Sequence, residues 1–301
     1  MNARLASFGS DWPHVERSEI IEAGGVQWHV QRFGTHGPRL LLLHGTGAST
    51  HSWRDVAPLL AEHARVLALD LPGHGATAFA GGDGMRLPGM ARRLADLCEA
   101  EGFEPDAIIG HSAGAAVAIA AAITTALNPA AIVGLNAALQ PMQGYALFSP
   151  LAKGLFLNPF TPSLFARLGA REKTARGLLD ATGSTLDERG IDLYRRLFAD
   201  TAHVRGALGM MASWDLEWLQ RRLPELRARL VLVTAADDGT VPARDATTHV
   251  AKVRDGRHVA LPTGGHLVHE TRPAEIAELV LRILAEAGLP VEVERDISAA
   301  S

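Results

Sequence analysis

The sequence of 301 residues contains one cysteine, Cys98. No disulfide can form within the chain, so a reducing compartment is its natural setting. Cys98 lies in an apolar segment with helical spacing and is expected to be a buried structural thiol. Residues 1–13 lack the pattern of a secretory signal, which is a charged stretch followed by an apolar core. We therefore expect a cytoplasmic protein.

The chain also lacks an excess of either charge. Its 29 basic and 33 acidic residues give a formal net charge of -4. The three densest basic pairs stand beside acidic residues on helix-like stretches, so we expect them to be solvated and do not expect a nucleic-acid partner. Long apolar runs are missing too. The run 113–127 has about 15 residues, too few to cross a bilayer, and 145–160 is interrupted by proline, glycine and lysine, so no integral membrane segment is predicted.

Two further patterns are absent. The chain has no Gly-Lys-Ser/Thr string, and after Gly45-Thr46-Gly47 the third glycine of a dinucleotide-binding loop is replaced by Thr50. No His-Glu-x-x-His string occurs, and the pair His266 and His269 lacks a third ligand for zinc. We therefore predict no cofactor and no metal.

Short apolar runs of strand length alternate with segments in which apolar residues recur at helical spacing. The predicted strands are 26–33, 40–43, 66–69, 107–109, 132–135, 230–233 and 258–261, and the predicted helices are 53–61, 87–100, 113–127, 243–250 and 273–287. This alternation predicts an α/β fold with a mostly parallel, doubly wound sheet covered on both faces. Active sites of such sheets lie beyond the carboxyl ends of the strands.

The alternation stops between residues 136 and 213. This stretch contains four prolines and three helix-like segments, and it has no convincing strand. We predict a helical cap over 136–213, inserted into a core formed by 1–135 and 214–301. Cap side chains that are apolar either pack on the core or meet the substrate. The predicted substrate pocket comprises His44, Trp53, His111, Phe148, Met210 and Met211.

Residues 110–114, Gly-His-Ser-Ala-Gly, connect a β-branched run to an alanine-rich helix. A strand that turns directly into a helix forms a strained turn, which only small neighbours tolerate and which exposes the central serine. The start of the helix also places N–H groups and the positive end of its dipole near the serine. The pattern predicts that Ser112 is a catalytic nucleophile.

A serine hydroxyl needs a base, and the base needs an orienting acid. Among the 13 histidines, His266 follows the last predicted strand on a loop of small residues and is the predicted base. Asp237 and Asp238 both follow the strand 230–233. We favour Asp238 because it precedes a turn and a proline-initiated helix, while Asp237 remains the alternative. The position after the preceding strand holds Asn136, which cannot act as an anion.

The oxyanion of an acyl-transfer reaction is usually held by two backbone amides. One is the residue after the nucleophile, which here is Ala113. The other is expected on the small-residue loop 44–48, where Thr46 is the first choice and Gly47 the second.

Five motifs occur in the order typical of one large family. They are His44-Gly45, residues 70–75 (Asp-Leu-Pro-Gly-His-Gly), residues 110–114, residues 238–242 (Asp-Gly-Thr-Val-Pro) and residues 265–270 (Gly-His-Leu-Val-His-Glu). With them the chain resembles the α/β-hydrolase superfamily over about residues 20–288. The resemblance implies an α/β-hydrolase fold, the nucleophile Ser112, the base His266, the acid Asp238 and an oxyanion hole at Thr46 and Ala113.

Strings outside the catalytic loops, at 11–13, 22–31, 51–55, 132–139 and 210–216, are similar to the hydrolase-like accessory proteins of magnesium chelatase in bacteriochlorophyll biosynthesis. That resemblance implies a role in photosynthetic pigment synthesis, near magnesium insertion, with an apolar or tetrapyrrole-like substrate and a magnesium-chelatase subunit as partner.

Three functions are compatible with these residues. The first is a serine hydrolase that cleaves esters or related acyl substrates. The second is a non-catalytic accessory protein that binds a tetrapyrrole or a chelatase subunit. The third is a cofactor-free haloperoxidase (perhydrolase) or a carbon–carbon bond hydrolase with the same triad. Halide displacement and epoxide opening are disfavoured, because the nucleophile position holds serine and not aspartate.

Overall fold

The computed structural model describes residues 3–79, 81–140 and 158–291. Within these ranges eight strands form one sheet in the order β1-β2-β4-β3-β5-β6-β7-β8. The strands are β1 Ser18–Ala23, β2 Val26–Phe33, β3 Arg39–Leu43, β4 Arg65–Leu69, β5 Ala107–His111, β6 Ala131–Leu135, β7 Arg229–Ala235 and β8 Gly256–Leu261.

Twelve α-helices lie in the described ranges. They are α1 Ala3–Ser7, α2 Val56–Ala61, α3 Leu87–Ala100, α4 Ala113–Thr124, α5 Thr161–Gly169, α6 Glu172–Asp180, α7 Glu188–Ala199, α8 Thr201–Ser213, α9 Leu216–Arg222, α10 Arg244–Val250, α11 Val268–Thr271 and α12 Pro273–Glu286. A short 3₁₀ helix also covers Thr50–Trp53. No helix in the described parts of the chain is long and apolar enough to cross a membrane.

Strands β3 to β8 run parallel, whereas β2 is antiparallel to both β1 and β4. This sheet, with helices on both faces, confirms the predicted mostly parallel α/β fold. Strand β1 was not predicted, because its charged, partly exposed edge gives a weak apolar pattern. The signal that could have revealed it is Gly24-Gly25, whose φ angles of 56° and 72° form the two-residue turn between β1 and β2.

The core consists of two large apolar layers, one on each face of the sheet. Leu41 and Leu43 point into the layer that contains α3 and α4, and Leu40 and Leu42 into the layer that contains α2 and α12. Successive strand residues face opposite sides, so an uninterrupted apolar run is needed when both faces are covered.

Helices α5 to α8 lie between β6 and β7 in chain order, where the sequence predicts the cap. Three of them begin within two residues of the predicted helix-like segments, which are 174–180, 186–200 and 203–214. Helix α5 was not predicted separately, and of the predicted cap the residues 141–157 lie outside the described ranges. The division of the chain into a core and a cap stays a prediction.

Candidate active site

Ser112 occupies a strained turn between β5 and α4. Its φ and ψ angles are 49° and -114°, a conformation that is costly for a residue with a side chain. Both flanking glycines are required. A Cβ on Gly110 would lie 2.5 Å from the amide nitrogen of Ala115, and one on Gly114 would lie 2.2 Å from the carbonyl oxygen of Leu43. Close packing of the turn on its neighbours thus fixes the serine.

Hydrogen bonds hold the backbone of this turn. The N–H of Ser112 donates to the carbonyl of Leu135 at 2.9 Å, and its own carbonyl accepts from the N–H groups of Ala115 and Ala138. The Ser112 side chain lies beside loop 44–47, since a Cβ on Gly45 would be 3.1 Å from the Cβ of Ser112. Ser112 is 8% exposed. The serine is therefore almost fully buried at the carboxyl edge of the sheet.

His266 is paired with an aspartate. Its Nδ1 donates to Oδ2 of Asp238 at 2.9 Å, and both side chains are almost fully buried. The other carboxylate oxygen, Oδ1, accepts from the N–H groups of Thr240 and Val241 at 2.7 and 2.9 Å. With Nδ1 protonated toward Asp238, the second ring nitrogen of His266 is left to accept a proton.

Asp237 makes different contacts from Asp238. It accepts from the N–H groups of Gly264 and Gly265 at 3.1 and 2.8 Å and does not touch the imidazole of His266. Burial alone would raise the pKa of Asp237, but the two backbone hydrogen bonds outweigh it and lower that pKa. Of the two adjacent aspartates, then, one contacts His266 and the other anchors the loop that carries it.

Asn136, which follows β6, links the end of β7 to the loop that carries His266. It adopts a left-handed conformation with φ of 45°. Its Nδ2 donates to the carbonyls of Gly265 and His266, each at 2.9 Å, and its Oδ1 accepts from the N–H of Ala235. The sequence shows only that this residue cannot be an anion. Its role in holding the His266 loop was missed, because hydrogen bonds between residues so far apart in the sequence leave no local pattern.

The loop after α6 also supports the pair. The carbonyl of Thr182 accepts from the N–H of Gly239 at 3.1 Å and from the N–H of His266 at 3.0 Å. The hydroxyl of Ser184 accepts from the N–H of Leu267 at 2.8 Å. A loop of the predicted cap therefore helps to set the distance between the acid loop and the histidine loop.

Of the predicted oxyanion donors, Ala113 follows Ser112 directly, and Thr46 follows Gly45, which packs beside the Ser112 side chain. Within the described ranges, the N–H groups of Thr46 and Ala113 donate to no protein acceptor. The hydroxyl of Thr46 donates to Sδ of Met210 at 3.1 Å, which connects this loop to α8. His203 of the same helix donates from Nε2 to the carbonyl of Gly47. Helix α8 thus contacts the loop 44–48 through two side chains.

Buried histidines surround the site. The ring of His111 lies 4.7 Å from that of His266 and 4.5 Å from that of His269. Nε2 of His111 donates to the carbonyl of His266 at 2.9 Å, so the residue next to Ser112 is tied to the histidine loop. Burial lowers the pKa of His111 well below its ordinary value and that of His269 to about 3. These two rings are therefore neutral near pH 7.

The predicted pocket residues have diverse surroundings. His44 is fully buried, with Nδ1 donating to the carbonyl of Gly45 and Nε2 accepting from the N–H of Leu71. Trp53 packs in the core against His269. The remaining predicted pocket residues are His111 and Met210, both buried, Met211, which is 38% exposed, and Phe148, which lies outside the described residues. His44, Trp53, His111 and Met210 are buried and make their contacts within the protein. Contact of any of these residues with a substrate stays a prediction.

In the ranges 3–79, 81–140 and 158–291, no group of three or more His, Cys, Asp or Glu side chains is arranged to hold a metal ion. Asp70 and His74 of the turn at 70–75 are buried in hydrogen-bonded positions.

Comparisons with known proteins agree with this architecture. The model of the alpha/beta hydrolase family matches residues 40–279. The chain is 37% identical over 275 residues to the magnesium-chelatase 30 kDa subunit of Rhodobacter capsulatus, an alignment that covers 90% of this chain and 96% of that protein. It is 26% identical to an esterase of Mycobacterium tuberculosis, over 94% of this chain and 93% of the esterase. The crystal structure of a lipase candidate from Acinetobacter baumannii superposes with a TM-score of 0.76 at 18% identity, covering 92% of this chain and 93% of the other.

Proposed function

The chain belongs to the alpha/beta hydrolase family, and we propose that within it the chain is a serine hydrolase of apolar esters or related acyl substrates. Ser112 is the nucleophile, His266 the base and Asp238 the acid. The observation that carries the proposal is the 2.9 Å contact between His266 and Asp238 at the edge where the strained turn presents Ser112.

The reaction has two steps. In the first, Oγ of Ser112 attacks the carbonyl carbon of the ester while its proton passes to His266. The bond to the alcohol oxygen then breaks, and His266 returns the proton to the leaving alcohol. In the second step, water attacks the acyl carbon and gives a proton to His266. The bond from that carbon to Oγ of Ser112 then breaks, Oγ takes the proton from His266, and the acid is released.

The negative charge on the carbonyl oxygen needs donors that are already in place. The N–H groups of Thr46 and Ala113 have no protein acceptor in the described ranges, and Ala113 is the first residue of α4. The positive end of that helix adds to the stabilisation. Loss of one such donor typically costs a factor of about 10² to 10³ in rate.

Ser112 and His266 make no hydrogen bond with each other in the described structure, whereas His266 and Asp238 do. Catalytic hydrogen bonds are often long before substrate binds and shorten in the substrate complex. The proposal therefore requires that the serine hydroxyl rotate toward His266 when a substrate is bound.

The adjacent aspartates provide a matched test of the acid. We compare hydrolysis of p-nitrophenyl esters by the wild type, Asp238→Asn and Asp237→Asn. Asp238→Asn should lower kcat by a factor of about 10³ to 10⁴, because the imidazolium of His266 loses the negative charge that stabilises it and the tautomer of the ring is no longer fixed. Asp237→Asn should lower kcat less than tenfold. Equal rates for the two variants would reject the assignment of Asp238.

A second function is supported by one observation, the 37% identity to a protein named as a magnesium-chelatase subunit. It is an accessory role in which the chain binds a tetrapyrrole or a chelatase subunit and the triad is not used. Rescue of pigment synthesis by Ser112→Ala, in a host that lacks its own copy of the relative, would favour this role. Failure of a stably folded Ser112→Ala variant, where the wild type succeeds, would favour hydrolysis.

A further inference from the structure

A second set of serine, histidine and aspartate side chains lies away from Ser112. Nδ1 of His29 is 2.7 Å from Oδ2 of Asp70, and Nε2 of His29 is 2.9 Å from Oγ of Ser18. Ser18 belongs to β1 and His29 to β2, and Asp70 directly follows β4, at the antiparallel side of the sheet. The distances follow the order nucleophile, base and acid, which is the arrangement that activates a serine.

Sheet geometry places the three groups together. Ser18 of β1 pairs with Gln31 of β2, and His29 lies two residues from Gln31, so their side chains share one face of the sheet. The N–H of Asp70 donates to the carbonyl of His29, which brings the aspartate next to the ring. The contact is therefore built into the register of three neighbouring strands.

Asp70 is held in one orientation. Its Oδ1 accepts from the N–H of Thr50 at 2.6 Å, and its Oδ2 accepts from the N–H of Ala76 at 2.8 Å as well as from His29. Burial alone would raise the pKa of Asp70, but its contact with His29 and the hydrogen bond from the N–H of Thr50 outweigh burial and lower that pKa. When the ring of His29 is neutral, an ionised Asp70 holds the proton on Nδ1, and Nε2 is then the nitrogen that accepts the proton of Ser18.

The serine differs from its partners in its access to solvent. His29 and Asp70 are buried, whereas Ser18 is only half-buried and lies on the edge strand β1. Oγ of Ser18 also accepts from Nε2 of Gln31 at 3.2 Å. A small molecule that reaches the exposed part of Ser18 would therefore meet a hydroxyl that contacts His29, Gln31 and the carbonyl of His14.

We propose that Ser18, His29 and Asp70 form a second nucleophilic site, which takes a small activated acyl or phosphonyl donor. The Oγ of Ser18 forms a bond to the acyl carbon or the phosphorus, and the bond to the leaving group breaks. The proton of Ser18 passes to Nε2 of His29 and then to the leaving group. Ser18 lies in a strand and not, like Ser112, at the start of a helix whose N–H groups can stabilise a developing anion, so the adduct should form slowly.

The test uses the Ser112→Ala protein, so its result is independent of the proposed hydrolase site. The protein is incubated with a small fluorophosphonate and digested with trypsin, and adducts are located by mass spectrometry. We expect an adduct on the peptide 18–32, formed at least about 10²-fold more slowly than the adduct on Ser112 in the wild type. The adduct should be lost in Ser112→Ala/Ser18→Ala and retained in Ser112→Ala/Ser163→Ala, which removes an exposed serine of α5. An unlabelled peptide 18–32 would overturn the proposal.

Removal of the base separates activation from simple exposure. Ser112→Ala/His29→Gln should label at least tenfold more slowly, and an unchanged rate would overturn the proposal.

Since His29 is buried and its replacement can impair folding, a second measurement compares alkylation of Ser18→Cys and Ser163→Cys by iodoacetamide at pH 6.5. A neighbouring imidazole favours the thiolate, so Ser18→Cys should react at least tenfold faster. Cys98 adds little background, because burial raises its thiol pKa to about 12. Equal rates would contradict the inference.

Discussion

His269 should make this fold sensitive to acid. It is fully buried beside Trp53 and His111, and within the described ranges neither ring nitrogen has a hydrogen-bond partner. Burial lowers its pKa from 6.5 to about 3. The unfolded chain therefore binds a proton below pH 6.5 that the folded protein does not, and stability is lost as pH falls from 6.5 toward 3. Between pH 8 and pH 5 this one residue should lower the free energy of unfolding by about 2 kcal/mol.

The substitution His269→Leu removes the titrating group and keeps an apolar side chain in contact with Trp53. At pH 8 the variant should be as stable as the wild type or more stable, because a buried polar group without partners is replaced. Between pH 8 and pH 5 it should lose about 2 kcal/mol less than the wild type loses. Urea unfolding followed by circular dichroism at the two pH values measures both differences.

The matched control is His36→Leu, since His36 is an exposed loop residue. Its loss of stability between pH 8 and pH 5 should equal that of the wild type. If His269→Leu and the wild type lose the same free energy over this interval, the folded protein accommodates a charged His269, and the electrostatic account of the buried histidines is wrong.

Three further predictions concern the surroundings of the site. Asn136→Asp cannot donate to the carbonyls of Gly265 and His266, so kcat/KM for p-nitrophenyl esters should fall about 10- to 100-fold; an unchanged value would show that the histidine loop does not need these hydrogen bonds. Burial raises the pKa of Glu270 to about 7 against the opposing effects of Arg54 and Tyr194, so the native carboxyl keeps its proton between pH 4.5 and 7 while the unfolded one releases it. This group therefore contributes less stability as pH rises through that window, and the change in urea midpoint from pH 5 to pH 7.5 should be more favourable in Glu270→Gln than in the wild type; equal changes in the two proteins would contradict the shift. Gly114→Ala should lower the melting temperature sharply or abolish soluble expression, whereas Gly177→Ala, where a Cβ meets nothing within 4 Å in an exposed helix, should raise it slightly.

Strands and helices whose apolar residues recur at regular intervals could be predicted from the sequence. Strand β2 and helix α3 begin and end where they were predicted, because the alternation of apolar and polar residues in β2 and the helical spacing of apolar residues in α3 are both local signals. The order of strands and helices also placed residues 112, 238 and 266 at one edge of the sheet. Strand β1 and helix α5 were missed because their apolar residues lie on partly exposed surfaces.

Contacts between distant loops could not be read in the same way. The choice between Asp237 and Asp238 depends on how two loops meet, since each aspartate follows β7 and each has hydrogen-bond partners. The carbonyl of Thr182 that supports His266 comes from a loop about 80 residues away, and nothing in its local sequence distinguishes it.

The most direct test of the hydrolase proposal is the mass of the protein during turnover. The wild type and Ser112→Ala are mixed with a p-nitrophenyl ester, quenched in acid within one turnover, digested and measured by mass spectrometry. The account predicts an acyl group on the peptide that contains Ser112, formed with the first burst of p-nitrophenol, and no acylated counterpart or burst in the variant. A burst of the same size in Ser112→Ala, or wild-type turnover without an adduct at Ser112, would contradict it.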